Sequence, residues 1–124
     1  MNKILTVTLN PAIDVRYNIE KIVLGNVNRT STIEKNAGGK GINVSRVIKQ
    51  LGGDILSTGI VGGYTGKLFL SKLNKDSIEN SFLETDFETR TCIAAIDKST
   101  GKITEFLESA EGKEKDFEKF LEKY

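Results

Sequence analysis

Gly38-Gly39-Lys40-Gly41-Ile42-Asn43-Val44-Ser45-Arg46-Val47-Ile48-Lys49-Gln50-Leu51-Gly52-Gly53 reads as a forced break, a helix and a stop. Three glycines in four residues interrupt any regular element and suit a tight turn. Beyond them Val44, Val47, Ile48 and Leu51 fall at i, i+3, i+4 and i+7, with Ser45, Arg46, Lys49 and Gln50 between them. That spacing predicts a helix to about residue 51 with the four apolar residues buried and the polar ones outside. Gly52-Gly53 ends it. Upstream, residues 3–9 alternate as a strand, with Leu5, Val7 and Leu9 on one face and Ile4, Thr6 and Thr8 on the other. It stops at Asn10-Pro11, because proline has no N–H for a ladder. Downstream, residues 55–61 read as a second, buried strand. Gly62-Gly63 then turns the chain, and Thr65 is expected to cap a helix over 66–76 that buries Phe69, Leu70 and Leu73. Strands alternating with helices predict an α/β fold, a mostly parallel sheet flanked by helices with right-handed crossovers.

The remaining segments do not fit that alternation. Residues 15–19 and 29–34 read as short polar strands around a turn at Gly25-Asn26, too hydrophilic to be central in a sheet, so an exposed flap is expected. Residues 91–96 and 103–107 predict a hairpin joined by Asp97-Lys98-Ser99-Thr100-Gly101-Lys102. Residues 113–124 predict a helix with Phe117, Phe120, Leu121 and Tyr124 on one face and a solvated charged face opposite. No internal repeat, low-complexity tract or linker divides the chain. Two or three parallel strands make a small sheet, and no strand follows the last helix, so these residues are expected to be the N-terminal part of a longer α/β protein.

Composition narrows the chemistry. The chain has 124 residues, the size of one domain, with 38% hydrophobic residues. Eighteen Lys+Arg against 17 Asp+Glu leave a net charge of +1, which gives no footprint for nucleic acid or an anionic membrane. Histidine is absent, which removes His-based acid–base catalysis, His-dependent nucleophile systems and His metal sites. A single cysteine, Cys92, leaves no partner for an internal disulfide and fits a reducing compartment. No apolar run approaches the ~18 residues of a membrane span, and the N-terminus reads as a strand and turn, not a signal peptide. A cytoplasmic α/β domain is the expectation.

The glycine-rich segments fail the common nucleotide patterns. Gly39-Lys40-Gly41-Ile42-Asn43-Val44 matches only G-x-G-x-x, with Val where a dinucleotide site needs its third glycine. Gly66-Lys67 lacks both the upstream glycine and the following Ser/Thr of a phosphate-binding loop. What remains is a helix N-terminus whose backbone N–H groups approach a ligand closely and whose dipole favours an anion or hydroxyl oxygen. Lys40 adds charge there, and Asn43 both donates and accepts hydrogen bonds. A tight turn with a solvated lysine is the plain structural reading of the same residues. Asp14 follows the first strand, where α/β sheets gather ligands, and is either a hydroxyl-binding carboxylate or a turn residue. Arg29 and Arg90 flank the flap strands as phosphate-binding candidates or solvated side chains. Cys92, in an apolar strand with no base nearby, reads as a packed, inert thiol.

Thr6-Val7-Thr8-Leu9-Asn10-Pro11-Ala12-Ile13-Asp14, Val27-Asn28-Arg29, Ala37-Gly38-Gly39-Lys40-Gly41-Ile42-Asn43-Val44-Ser45-Arg46-Val47, Gly59-Ile60-Val61-Gly62-Gly63-Tyr64-Thr65-Gly66 and Glu88-Thr89-Arg90-Thr91, in that order, resemble the N-terminal third of the ribokinase-like carbohydrate kinases. The resemblance is strongest to the phosphosugar branch of 1-phosphofructokinase and tagatose-6-phosphate kinase, and extends to about Glu108. It implies part of a Rossmann-like ribokinase fold with a small β lid, the lid strands lying near 15–35 and 91–107. It also implies substrate-binding roles. Asp14 would hold sugar hydroxyls; Gly38, Gly39, Lys40 and Asn43 would line the sugar-phosphate pocket; Arg90 would grip the substrate's phosphate; Arg29 would help from the lid, across a homodimer.

The chain departs from the family's pattern where catalysis is concerned. The G-A-G-D motif, which supplies the catalytic Asp and an anion hole for the transferred phosphoryl group, does not occur in these residues, nor does the C-terminal ATP-binding part. The resemblance therefore implies the sugar-binding portion, residues 1–124, of an ATP-dependent kinase that makes a ketohexose 1,6-bisphosphate. No catalytic residue or metal ligand is expected in this chain. ATP and Mg2+ would serve the full-length enzyme and not bind this chain tightly, and the chain alone would not turn over. After Glu108, Ser109-Ala110-Glu111-Gly112 replaces the family's Gly-Pro turn. The alternative expectation is a non-catalytic module that binds sugar phosphate or dimerises through its lid.

Overall fold

Residues 2–109, 112 and 114–123 are described by the computed structural model of the chain. Its elements are β1 (Ile4–Thr8), β2 (Ala12–Ile19), β3 (Thr32–Gly38), α1 (Lys40–Gln50), β4 (Ile55–Gly62), α2 (Gly63–Lys75), β5 (Asn80–Thr85), β6 (Arg90–Asp97), β7 (Ile103–Leu107) and α3 (Glu114–Lys123). They form two sheets. One is parallel, in the order β1-β4-β5; the other is mixed, in the order β3-β2-β6-β7. In the second, β2 runs parallel to β6 and antiparallel to β3, while β6 and β7 form the expected antiparallel hairpin. The α/β architecture with flanking helices and a separate β lid is therefore as the sequence predicts. Of the expected tail helix, Lys113 and Tyr124 lie outside the described residues, as do Ala110 and Glu111 of the segment before it.

The flap is a more integral sheet than its polarity suggests. β2 is an interior strand, not a peripheral one. Its odd residues Ile13, Val15 and Ile19 are buried, while Asp14 and Arg16 point to the opposite face. A strand with one buried and one polar face is only half hydrophobic, yet it sits comfortably at a sheet's centre. Ile13, Val15 and Ala37 join Ile42, Ile55, Val61, Phe69, Leu73 and Ile78 in one core. Phe69 is fully buried and meets Phe82 edge-to-face at 5.2 Å between centroids, a geometry aromatic pairs prefer. α2 packs against both sheets and so couples the lid to the parallel layer. β5 has no counterpart among the expected strands: Asn80-Ser81 and Glu84-Thr85 hide the apolar Phe82-Leu83 between polar ends.

The helix α1 is rotated from the expected orientation. Its buried residues are Ile42 and Ser45, with Ile48 half-buried, whereas Val44, Val47 and Leu51 are 51%, 53% and 82% exposed. A hydroxyl pair accounts for this. Thr6 Oγ1 and Ser45 Oγ lie 2.6 Å apart in the interior, and the Ser45 hydroxyl also lies 2.9 Å from the Gly41 carbonyl it donates to. Small polar residues let helix and strand approach, and buried hydroxyls are costly unless they find each other. β1 therefore turns Thr6 and Thr8 inward and leaves Leu5, Val7 and Leu9 nearly half exposed on its other face. The periodicity identifies an apolar stripe but not what the stripe faces. In α3, Phe120 is buried as expected, but Asp116 in its first turn is buried too, so the charged face is not wholly solvated.

The expected Thr65 cap is also replaced. α2 begins three residues earlier, with Gly62 as its N-cap. Its first-turn N–H groups are satisfied from a distance: the Glu88 carboxylate accepts from Tyr64 N (3.1 Å), Thr65 N (2.9 Å) and the Thr65 hydroxyl (2.8 Å). An anion at a helix N-terminus meets both orphan donors and the positive end of the dipole. The Thr65 amide and hydroxyl hold the Glu88 carboxyl below the usual glutamate range. A depressed carboxylate stabilises the fold above its unfolded-state pKa, and that contribution fades as pH falls through the folded value. Glu88→Gln is expected to lower the melting temperature at pH 7, with the difference from wild type narrowing below the ordinary glutamate range. Melting curves recorded from pH 7 to pH 3 test this; a constant difference across that range contradicts it.

Candidate functional site

The polar face of the lid sheet looks into a cleft of about 630 Å³ between the lid and α1. Register places its side chains. Asp14 on β2 lies opposite Asn36 on β3 and Cys92 on β6, and Ala94 on β6 lies opposite Glu105 on β7. All five line the cleft, together with Asn43 and Arg46 from α1. The glycine-rich segment is shaped around this face. A Cβ on Gly38 would stand 2.0 Å from Asp14 Oδ2, so the missing side chain is the space that the carboxylate fills. Gly39 is the N-cap of α1 at φ 123°, a conformation that L side chains rarely adopt. The Asn43 amide N–H donates to the Gly39 carbonyl at 3.0 Å, which sets the Asn43 side chain on the first turn at the cleft.

The charges are arranged around Asp14. Burial, the strongest influence, pushes its carboxyl above the usual aspartate range; Arg90 and then Arg46 oppose this, and Glu105 adds to it. Arg90 opens β6, and its Nη2 donates to the Asn10 carbonyl at 3.3 Å. Its Nε is buried without a partner, and among the described residues neither Arg90 nor Asp14 forms an ion pair. A guanidinium short of acceptors beside a carboxylate short of donors suits a ligand that carries both an anionic group and hydroxyls. Cys92 has Asp14 and Arg90 as neighbours, contrary to the expectation of no base nearby. Burial chiefly raises its thiol pKa, so it stays a protonated, packed thiol.

Of the candidates read from the sequence, Asp14 and Asn43 line this cleft, whereas Gly38, against the Asp14 carboxylate, Gly39, the N-cap of α1, and Arg90, whose charge acts on Asp14, are not among its lining residues. Lys40 stands exposed at the first residue of α1 and is not among the lining residues. Arg29 is not brought to it; it lies with Tyr17, Val27, Asn28, Thr30 and Ile33 along a separate groove. Arg46, assigned by periodicity to the outer face of α1, instead lines the cleft. Its signal was local: a residue three after Asn43 is its neighbour on the helix surface. Asn36 and Glu105 had no such signal, because they reach the cleft only through strand register.

A family model described as pfkB family carbohydrate kinase matches residues 1–123. Phosphofructokinase-2 from Escherichia coli, solved in complex with fructose-6-phosphate, is similar at 28% identity and a TM-score of 0.91, over 99% of this chain and 41% of that one. A structure described as a possible 1-phosphofructokinase from Thermotoga maritima shares 37% identity at a TM-score of 0.88, over 98% of this chain and 40% of that one. A carbohydrate kinase from Agrobacterium tumefaciens shares 25% identity at 0.71, over 87% and 36%. The chain spans about two fifths of the length of the solved proteins it matches.

The raised Asp14 pKa makes the site a source of instability. A folded-state value above the unfolded one means that stability falls as pH rises through that interval, and the loss is complete above it. Asp14→Asn is therefore expected to raise the melting temperature at pH 7 and to leave it nearly unchanged where Asp14 is protonated in both states. Arg90→Gln is expected to move the Asp14 midpoint further up, because a cation that favours ionisation is lost. Carboxyl carbon NMR titrations and melts at two pH values check both. An Asp14→Asn chain that is less stable at pH 7, or a midpoint that falls in Arg90→Gln, contradicts the electrostatic account.

Proposed function

This chain belongs to the pfkB family of carbohydrate kinases, and we propose that it is the sugar-binding, N-terminal portion of an ATP-dependent phosphosugar kinase. The full enzyme would make a ketohexose 1,6-bisphosphate, either from a ketohexose 6-phosphate, as a tagatose-6-phosphate kinase does, or from fructose 1-phosphate, as a 1-phosphofructokinase does. The observation that carries this reading is the cleft itself: it is lined by the Asp14 carboxylate and Arg46, and the guanidinium groups of Arg90 and Arg46 act on that carboxylate. Asp14 accepts hydrogen bonds from sugar hydroxyls, with the carboxylate held in place over Gly38. Asn43 adds an amide at the first turn of α1, and the Gly39 turn brings backbone close to the ligand. Arg90 takes the phosphate, whose oxygens match a planar guanidinium. Lys40, exposed at the mouth of the segment, supplies further positive charge to the same phosphate.

The chemical step is proposed to lie elsewhere. ATP and Mg2+ serve the full-length enzyme, where they supply the phosphoryl group and neutralise its charge. No residue of this chain is assigned to Mg2+ or to ATP in this reading. Asp14 binds substrate and is not a base, and the 124 residues alone do not turn over. The exposed faces of β1 and α1, with Leu5, Val7, Val44, Val47 and Leu51, are proposed to lie against the rest of such an enzyme. The lid is proposed to pair with the lid of a second copy: Val27, Ile33 and Phe106 are 81%, 53% and 61% exposed on it, and Arg29 stands beside the first two. In that arrangement Arg29 reaches the partner's ligand. Among the described residues no helix is long and apolar enough to cross a membrane; a cytoplasmic site of action, where ATP and sugar phosphates meet, completes the proposal.

A thermal-shift titration with fructose 1-phosphate, fructose 6-phosphate, tagatose 6-phosphate, free fructose and ATP tests this reading. One ketose phosphate is expected to raise the melting temperature, by the equivalent of ~2.7 kcal/mol at a hundred times its Kd. Free fructose and ATP are expected to leave it unchanged, and Arg90→Gln to abolish the shift. Stabilisation by ATP alone, or by free fructose as strongly as by its phosphates, overturns the assignment.

A further inference from the structure

Arg46 is committed on three sides. Its Nη1 donates to Asn43 Oδ1 at 3.3 Å and its Nη2 to the Ala37 carbonyl at 2.5 Å, while its Nε lies 3.5 Å from Asp76 Oδ2. These contacts span three elements: the ligand-facing turn of α1, the end of β3, and the C-cap residue of α2. Each has a consequence for the cleft. By occupying Asn43 Oδ1, the guanidinium leaves the two N–H donors of the same amide without a partner among the described residues. The Ala37 carbonyl belongs to the same peptide unit as the Gly38 N–H, so holding one fixes the plane of the other. Asp76 adds a partly exposed ionic contact to the same guanidinium, which lines the cleft. A lysine could supply the charge but not the three directions, because its ammonium is a point donor on a flexible stem.

We propose that Arg46 is a positioning residue of the sugar-phosphate site: it turns the Asn43 amide so that its N–H donors serve the ligand, and it fixes the Ala37–Gly38 peptide against which Asp14 is held. The proposal deepens the phosphosugar reading and rests on it for the identity of the ligand, but not for the geometry. Its positive charge also acts on Asp14, which is faced by Arg16 on its own strand, Glu34 and Asn36 on β3, Arg90 and Cys92 on β6, and Glu105 on β7.

Arg46→Gln and Arg46→Lys in the unliganded chain separate this role from simple stabilisation. The readouts are the Asn43 side-chain rotamer from three-bond couplings, the Gly38 amide resonance and the Asp14 carboxyl titration, followed by the affinity for fructose 6-phosphate. Arg46→Gln is expected to average the Asn43 rotamer, shift the Gly38 amide, raise the Asp14 midpoint and weaken binding about tenfold, the effect of one lost hydrogen bond. Arg46→Lys is expected to restore the Asp14 midpoint without restoring the Asn43 rotamer. If Arg46→Gln keeps the wild-type rotamer, amide and midpoint, Arg46 only stabilises the fold and the proposal fails, whatever happens to the melting temperature. Should Arg46→Gln not fold, Arg46→Lys decides: a wild-type Asn43 rotamer there overturns the proposal. If the resonances move as expected and fructose 6-phosphate binds neither wild type nor variants, the positioning role stands and the phosphosugar reading fails.

Discussion

The close crossing of the glycine segment over the ends of β1 and β2 is the constraint on which the rest of the structure depends. A Cβ at Gly38 would lie 2.0 Å from the Asp14 carboxylate, and one at Gly41 would lie 2.2 Å from Thr8 Oγ1. With those side chains absent, α1 settles onto β1 through the buried Thr6–Ser45 hydroxyl pair, and β3 delivers the chain to the helix without a loop between them. The lid sheet and the parallel sheet thereby meet at this crossing, in addition to their coupling through α2. Asp14 and Asn43, which line the cleft, adjoin that crossing, so packing and the geometry of the site are linked. Buried atoms in close contact leave little room for adjustment, so a side chain at Gly38 or Gly41 would force its neighbours to move.

The electrostatics of the cleft follow from that packing. Partial burial raises the pKa of Asp14, while Arg90 and Arg46 pull it back toward ionisation. Neither cation closes on Asp14 to form an ion pair among the described residues. The carboxylate thus stays available, at some cost in stability, and Arg90 retains an unsatisfied Nε. Strained charge balance of this kind is common where a protein awaits a ligand that supplies the missing partners. A phosphosugar offers both, hydroxyls for the carboxylate and a dianion for the guanidinium.

Much of this was legible in the sequence, because local patterns carried it. The alternation in residues 3–9, the glycines at 38–41 and the turn residues at 97–102 announce their elements without tertiary information, and the order of the short motifs points to the carbohydrate kinases. Four features were not legible, each for a physical reason. The rotation of α1 depends on Thr6 and Ser45 finding each other across 39 positions, which periodicity does not register. The Glu88 cap replaces a local Thr65 cap with a carboxylate from a distant loop. The inward turn of Arg46 depends on Ala37 and Asp76, neither of which is near it in helical spacing. β2 was misplaced to the periphery because overall polarity averages its two faces, and only register shows that one is core and the other cleft.

The central claim is that a ketose phosphate sits between Asp14, the α1 turn and Arg90. A backbone amide footprint of fructose 6-phosphate on the isotopically labelled chain tests it most directly. The account predicts that the perturbed amides cluster at Gly38, Gly39, Asn43 and Arg90 and saturate together as ligand is added. Perturbations centred on the groove of Tyr17, Arg29 and Ile33, or on the exposed turn at Tyr64 and Lys67, with the Gly38–Asn43 amides unmoved, would contradict it.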